Sequence, residues 1–166
     1  PIPRRSLESL PAAVLLLGGC ATGETPLFER SGRFSLVSIS SSGKREAVNG
    51  RFSLQRTPAS LRLNLMTPLN GILARIEVTT RGAVLQTARD EQSFSAPTAE
   101  ELMERVTGIS VPVEALEQWL TTTDDQISEY GWSVRVLKRR SDGMPGTIRA
   151  SSAGSGVSLT LTMDDD

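Results

Sequence analysis

The feature that most constrains this chain is a change of hydrophobic period, from two to helical and back to two. Apolar and polar residues alternate over residues 32–40, 46–56, 59–66, 72–79 and 82–87, with a shorter run near 92–96. Alternation sends successive side chains to opposite faces of a sheet, so each run predicts a strand with one buried face. The clearest is Leu61-Arg62-Leu63-Asn64-Leu65, and Phe52 and Leu54 alternate in the same way with Arg51, Ser53 and Gln55. Ile72, Ala74, Ile76 and Val78 alternate with Arg75 and Glu77, while Leu73 breaks the pattern. In the first run Phe34 and Leu36 share one parity, and Val37 and Ile39 the other. That slip predicts a bulge or a strand buried on both sides. Three further strands are predicted at 131–138, 146–151 and 156–163.

Between the two sets of strands the period becomes helical. Thr98 and Glu101 match a capping box, in which side chains satisfy free N–H groups at a helix start. Ala99, Leu102, Met103 and Val106 form one stripe, and Gly108 supplies the stop. A second helix is predicted from Pro112, with the stripe Val113, Leu116, Trp119 and Leu120. Both helices are too short to persist without an apolar surface beneath them. The order of strands, two helices and strands, with short links, predicts an antiparallel meander rather than alternating β-α-β units. An amphipathic pair inserted mid-sheet folds back across the concave face as a lid. Under such a lid the pattern allows either a hydrophobic cavity or a fully packed core.

Upstream of the domain, Arg4 and Arg5 precede an apolar stretch, Leu10 to Leu17, which leads through Gly18 and Gly19 into Cys20. This has the build of an export signal. Leu17-Gly18-Gly19-Cys20 resembles the lipobox of bacterial lipoproteins, whose cysteine sulfur carries a diacylglyceryl group and becomes the first mature residue. Residues 1–19 are then a lipoprotein signal peptide, 20–31 a lipidated tether and 32–166 the folded domain. The alternative is a lone buried cysteine, a common place for that residue type. A stretch this short does not span a bilayer, which takes about 20 apolar residues.

Composition removes several function classes. Beyond the signal the chain carries 16 basic and 18 acidic side chains, so no basic excess favours nucleic acid. Histidine is absent, which excludes Ser-His-Asp and Cys-His catalytic units and His-ligated zinc. With Cys20 the only cysteine, there is no internal disulfide, and the domain relies on burial. Gly154-Ser155-Gly156 lacks the context of a phosphate loop and reads as a turn. With no ATP site, any work must run downhill. The acidic pairs have plain explanations: Glu100 and Glu101 suit a helix's first turn, while Asp124 and Asp125 lie in a polar loop. Asp164 to Asp166 lacks the spacing of a calcium loop. No catalytic residue, metal or cofactor is expected.

In combination, several short motifs resemble the outer-membrane lipoprotein receptor family LolB over nearly all of the mature chain. They are Gly32-Arg33-Phe34, Gly50-Arg51-Phe52, Pro68-Leu69 and Ala74-Arg75-Ile76-Glu77. After them come Gly108 with Val111-Pro112-Val113, Leu116 with Trp119-Leu120, and Gly131-Trp132 before Val134. The chain departs from the family where Asn70 replaces a glycine, Leu54 an aromatic, Thr121 a glycine and Val136 a tyrosine. A tryptophan common near the C-terminus is missing as well.

The resemblance implies a mainly β, α+β fold: a half-open antiparallel β-barrel with a helical lid enclosing a hydrophobic cavity. It implies a monomeric, non-enzymatic receptor at the periplasmic face of the outer membrane, anchored through Cys20. Such a receptor accepts lipoprotein cargo from the soluble carrier LolA, holds its acyl chains and inserts it into the outer membrane. A lipid or lipopeptide carrier on the same scaffold, without a sorting role, is the alternative.

Two sets of residues are singled out. Leu69 lies in Thr67-Pro68-Leu69-Asn70-Gly71, and the resemblance implies that it projects and aids membrane insertion. The residues alone equally allow a hairpin turn with Leu69 tucked back on the sheet. Leu102, Met103, Leu116 and Trp119 are candidates to line an acyl cavity from the lid. Phe34, Phe52, Leu63, Leu65, Ile76 and Val78 are candidates from the sheet. Each alone is as well explained by ordinary core packing.

Overall fold

A computed structural model of the chain describes residues 25–69, 71–88 and 93–164. Cys20, Asn70, Gln92 and the expected signal peptide lie outside the described residues. The elements run β1 (Phe28–Ile39), β2 (Arg45–Arg56), β3 (Leu61–Met66), β4 (Ile72–Thr79), β5 (Gly82–Thr87) and β6 (Ser93–Ala96). Helices α1 (Ala99–Thr107) and α2 (Val113–Trp119) follow, then β7 (Gln126–Glu129), β8 (Trp132–Arg139), β9 (Pro145–Ser152) and β10 (Val157–Met163).

The strands form one antiparallel sheet in the order β6-β5-β4-β3-β2-β1-β10-β9-β8-β7. Each neighbour is also the neighbour in sequence except at the centre, where β1 meets β10 with Phe34 opposite Leu161. Alternation decides which face is buried. Phe34 and Leu36, Phe52 and Leu54, Leu63 and Leu65, and Leu159 and Leu161 all lie in the core, while Arg33, Arg51, Arg62 and Thr160 face outward. Burying such side chains contributes about 1.5–3 kcal/mol each.

The helices link the two sheet edges, β6 and β7, so their segment spans the open side of the sheet. The result is a half-open barrel with a helical lid. Thr98 caps α1 by accepting from the Glu101 N–H at 3.4 Å, and Gly108 ends it in a left-handed conformation, donating to the Glu104 carbonyl at 2.7 Å. Ala99, Leu102 and Met103 turn toward the core. The Arg105 guanidinium sits 4.6 Å from the centroid of the Phe94 ring, fastening α1 to β6. Pro112 occupies the N-cap of α2, whose buried residues are Val113, Ala115, Leu116 and Trp119.

Three details differ from the sequence expectation. The first strand carries no bulge: β1 pairs without a register break with both β2 and β10. Val37 and Ile39 simply lie on its outer face, the first half-buried and the second exposed near the strand end. The irregularity falls instead on β4, where Ala74 pairs with Leu65 and Ile72 with Met66, leaving Leu73 as an extra residue. That bulge accounts for the break in alternation there. β1 also begins at Phe28, within the stretch expected to be tether, because the Leu27 N–H already bonds to the Arg56 carbonyl. Finally, β7 was not expected. It forms a hairpin with β8 through Tyr130 and Gly131, both at positive φ as a two-residue turn of this type requires.

Candidate functional site

Between lid and sheet lies a crevice of about 30 Å³, room for a water-sized group or two. Its walls come from the sheet centre and from both helices. Phe34 and Leu36 on β1, Phe52 on β2, Leu63 and Leu65 on β3, and Leu159 and Leu161 on β10 form the floor. Met103 and Thr107 of α1, Val111 of the interhelix link and Leu116 of α2 form the roof. The single polar group among them is already engaged: the Thr107 hydroxyl donates to the Met103 carbonyl at 2.8 Å and accepts from the Ile109 N–H at 3.2 Å. The crevice therefore offers apolar surface and no free donor or acceptor.

The sequence candidates separate on this geometry. Phe34, Phe52, Leu63, Leu65, Met103 and Leu116 meet at the crevice. Ile76 and Leu102 are buried in the surrounding core, and Val78 is half-buried on β4. Trp119 is fully buried beside Trp132, their ring centroids 5.9 Å apart, with its N–H donated to Glu129. Leu36, Thr107, Val111, Leu159 and Leu161 complete the lining, and sequence reasoning did not single them out. Alternation had placed Leu36, Leu159 and Leu161 on apolar faces. It could not show that β1 and β10 would be partners at the centre of one floor.

Two polar contacts hold the lid, both from the C-terminal half of α2. Arg56 Nε on β2 lies 3.2 Å from Glu117 Oε2, and Trp119 is tied to β7 through Glu129. These are an ion pair about a third exposed and a single hydrogen bond, so the helices themselves are fastened by few polar links. In the loop that follows, Arg139 of β8 donates to the Thr122, Thr123 and Asp124 carbonyls.

Away from the crevice, Leu69 is 92% exposed at the tip of the β3–β4 loop. The loop is closed beneath it by the Thr67 N–H bonding to the Gly71 carbonyl at 2.8 Å, and by the Gly71 N–H bonding to Thr67 Oγ1 at 3.0 Å. Leu69 is thus not folded back onto the sheet. Ile72 and Leu73, at the start of β4, are each nearly half exposed and extend the apolar tip. Among the described residues, no three His, Cys, Asp or Glu side chains gather to hold a metal, and no helix is long and apolar enough to cross a membrane.

Comparison with known proteins points in one direction. The family described as "Outer membrane lipoprotein LolB" matches residues 27–160. Among similar proteins, an outer-membrane lipoprotein LolB of Bordetella petrii is 32% identical, the alignment covering 80% of this chain and 78% of the relative. One from Azoarcus sp. is 38% identical over 95% of this chain and 94% of its own length. A third, from Cupriavidus metallidurans, is 33% identical over 64% of this chain and 59% of its own length.

Proposed function

Since this chain belongs to the LolB family of outer-membrane lipoproteins, we propose that it receives lipoproteins from the soluble periplasmic carrier LolA and inserts them into the outer membrane. Cys20 carries the lipid anchor, the space between lid and sheet takes the acyl chains, and Leu69 enters the bilayer during release. No bond is made or broken, so the protein acts as a receptor rather than an enzyme.

The observation that carries this reading is the all-apolar crevice under a lid held by few polar links. Each CH₂ taken out of water contributes about 0.8 kcal/mol, so acylated cargo requires an apolar container at every stage of transit. A crevice of about 30 Å³ is too small for a long acyl chain, which must enter by lifting the helices from the floor. Cargo then supplies the apolar surface that the helices lose. Transfer without ATP needs only a modest gradient of affinity, since ~1.4 kcal/mol gives a tenfold preference.

The decisive experiment mixes the Cys20→Ala chain, which cannot be acylated, with LolA loaded with a labelled lipoprotein. Pull-down should recover the label on this chain. Retention of the label by LolA, with the chain shown to be folded, would overturn the receptor reading and leave a lipid carrier.

A further inference from the structure

The outer face of the sheet holds two like-charge pairs. Arg33 on β1 stands directly opposite Arg51 on β2, and Arg135 on β8 opposite Arg149 on β9. Like charges facing each other across strands are destabilising. Elsewhere the same sheet pairs its charges conventionally: Arg62 on β3 faces Glu77 on β4 with Nη2 and Oε2 3.0 Å apart.

The register extends these pairs into rows. One row reads Lys138, Thr147, Thr162, Arg33, Arg51, and the next reads Arg135, Arg149, Thr160, Ser35, Asn49. Five cations and five neutral polar residues lie in these two rows, and no carboxylate does. Asp164, two residues beyond Thr162 and next to Ser31, flanks the first row and pairs with Arg51. Among the described residues, the side chains of Arg33, Lys138, Arg135 and Arg149 have no hydrogen-bond or ion-pair partner, and all four residues are exposed.

Carboxylates concentrate on the opposite side. The lid segment 98–125 holds seven acidic residues and one basic one, in a chain whose formal net charge is −1. The molecule is therefore electrically two-sided, acidic over the lid and basic over the back of the sheet. A shallow groove of about 570 Å³ on the basic side is lined by Arg33, Arg51, Asn49, Thr160 and Thr162, and also by Pro68. Pro68 adjoins Leu69, so the exposed loop borders the cationic groove.

We propose that this outer face, centred on Arg33, Lys138 and Arg149, docks on the headgroups of anionic phospholipids. The inference rests on the membrane role of Leu69 proposed above. Docked this way, Leu69 reaches the acyl region beside a groove at headgroup level, and the acidic lid is directed away from the leaflet. Arg and Thr side chains supply donors suited to phosphate oxygens, and each basic residue near an anionic surface strengthens binding roughly fivefold.

The test uses the full chain with Cys20→Ala and no cargo, sedimented with phosphatidylcholine vesicles made with or without phosphatidylglycerol. Binding should require phosphatidylglycerol and weaken as salt shortens the screening length. Arg33→Glu with Arg149→Glu should lower it at least ~25-fold. The milder Arg33→Gln with Arg149→Gln should also lower it while leaving thermal stability equal or higher, because the like-charge pairs are relieved. Equal binding to both kinds of vesicle, or variants that bind like the parent, would overturn the proposal. So would variants that keep vesicle binding but no longer accept lipoprotein from LolA, since that face would then serve an acidic protein partner. Failure of the Leu69 reading is read separately, as normal cargo delivery by Leu69→Glu.

Discussion

The indole N–H of Trp119 donates to Oε1 of Glu129 at 3.0 Å, joining the lid to the outermost strand on one side of the sheet. The bond also explains how β7, four largely polar residues, keeps its place at an edge. It pairs with β8 on one side and is held by the lid on the other.

Replacing Trp119 by Phe keeps an aromatic ring near Trp132 and removes the donor. A hydrogen bond to a charged group is worth about 1.5–3 kcal/mol when buried, and Glu129 is only half-buried. The expected loss is about 1–3 kcal/mol in a urea titration, including the smaller ring. An unchanged midpoint would mean that packing alone positions the lid.

The other fastening, Arg56 to Glu117, should behave differently. Both side chains are about a third exposed, and such pairs contribute about 0–1 kcal/mol. Glu117→Gln is therefore expected to shift global stability by less than ~1 kcal/mol while speeding uptake of an apolar fluorescent probe. Stopped-flow uptake at the parent rate would show that this pair does not restrain the lid.

Gly50 gives a prediction about the crevice floor. A Cβ there would press on the Met66 carbonyl oxygen and lie 2.9 Å from Cε1 of Phe34, a crevice residue. The backbone oxygen cannot give way cheaply. Gly50→Ala should cost about 1–3 kcal/mol, as overpacking does. Wild-type stability together with wild-type probe binding would contradict that geometry.

Leu69 is so exposed that Leu69→Glu should change stability by less than ~0.5 kcal/mol. Cargo acceptance from LolA is expected to stay near the parent level, with delivery into membranes reduced about tenfold or more. Delivery at the parent rate in a vesicle-insertion assay would remove Leu69 from the mechanism.

Much of this architecture is legible in the chain because one face of nearly every strand is buried. Leu61, Leu63 and Leu65 cannot alternate with Arg62 and Asn64 unless a sheet separates core from solvent. Thr98 and Gly108 likewise mark the ends of α1 by the hydrogen bonds they make locally. β7 stays hidden because Gln126, Ser128 and Glu129 carry no apolar signal, and of its two inward positions, Ile127 and Glu129, only the first is apolar. The crevice is half legible for a related reason. Periodicity tells which residues face inward, but not which inward faces meet. Leu159 and Leu161 become neighbours of Phe34 only through the pairing of β1 with β10. The exposure of Leu69 could not be read from its neighbours, since Pro68 and Gly71 suit a turn whichever way the leucine points.

The central pairing of β1 with β10 also sets an order of events for a chain that must fold after export. Gly32 has to find Met163 at the far end of the sequence, whereas β2 to β6 can zip up by short hairpins as soon as they emerge. Contacts so distant form slowly, because loop closure must precede any gain. Until β10 arrives, the N-terminal meander presents β1 as a long edge with unpaired amides and an apolar face, the kind of surface on which chains aggregate. The last strand therefore completes the fold and also ends the period in which a newly secreted copy is most exposed to its neighbours.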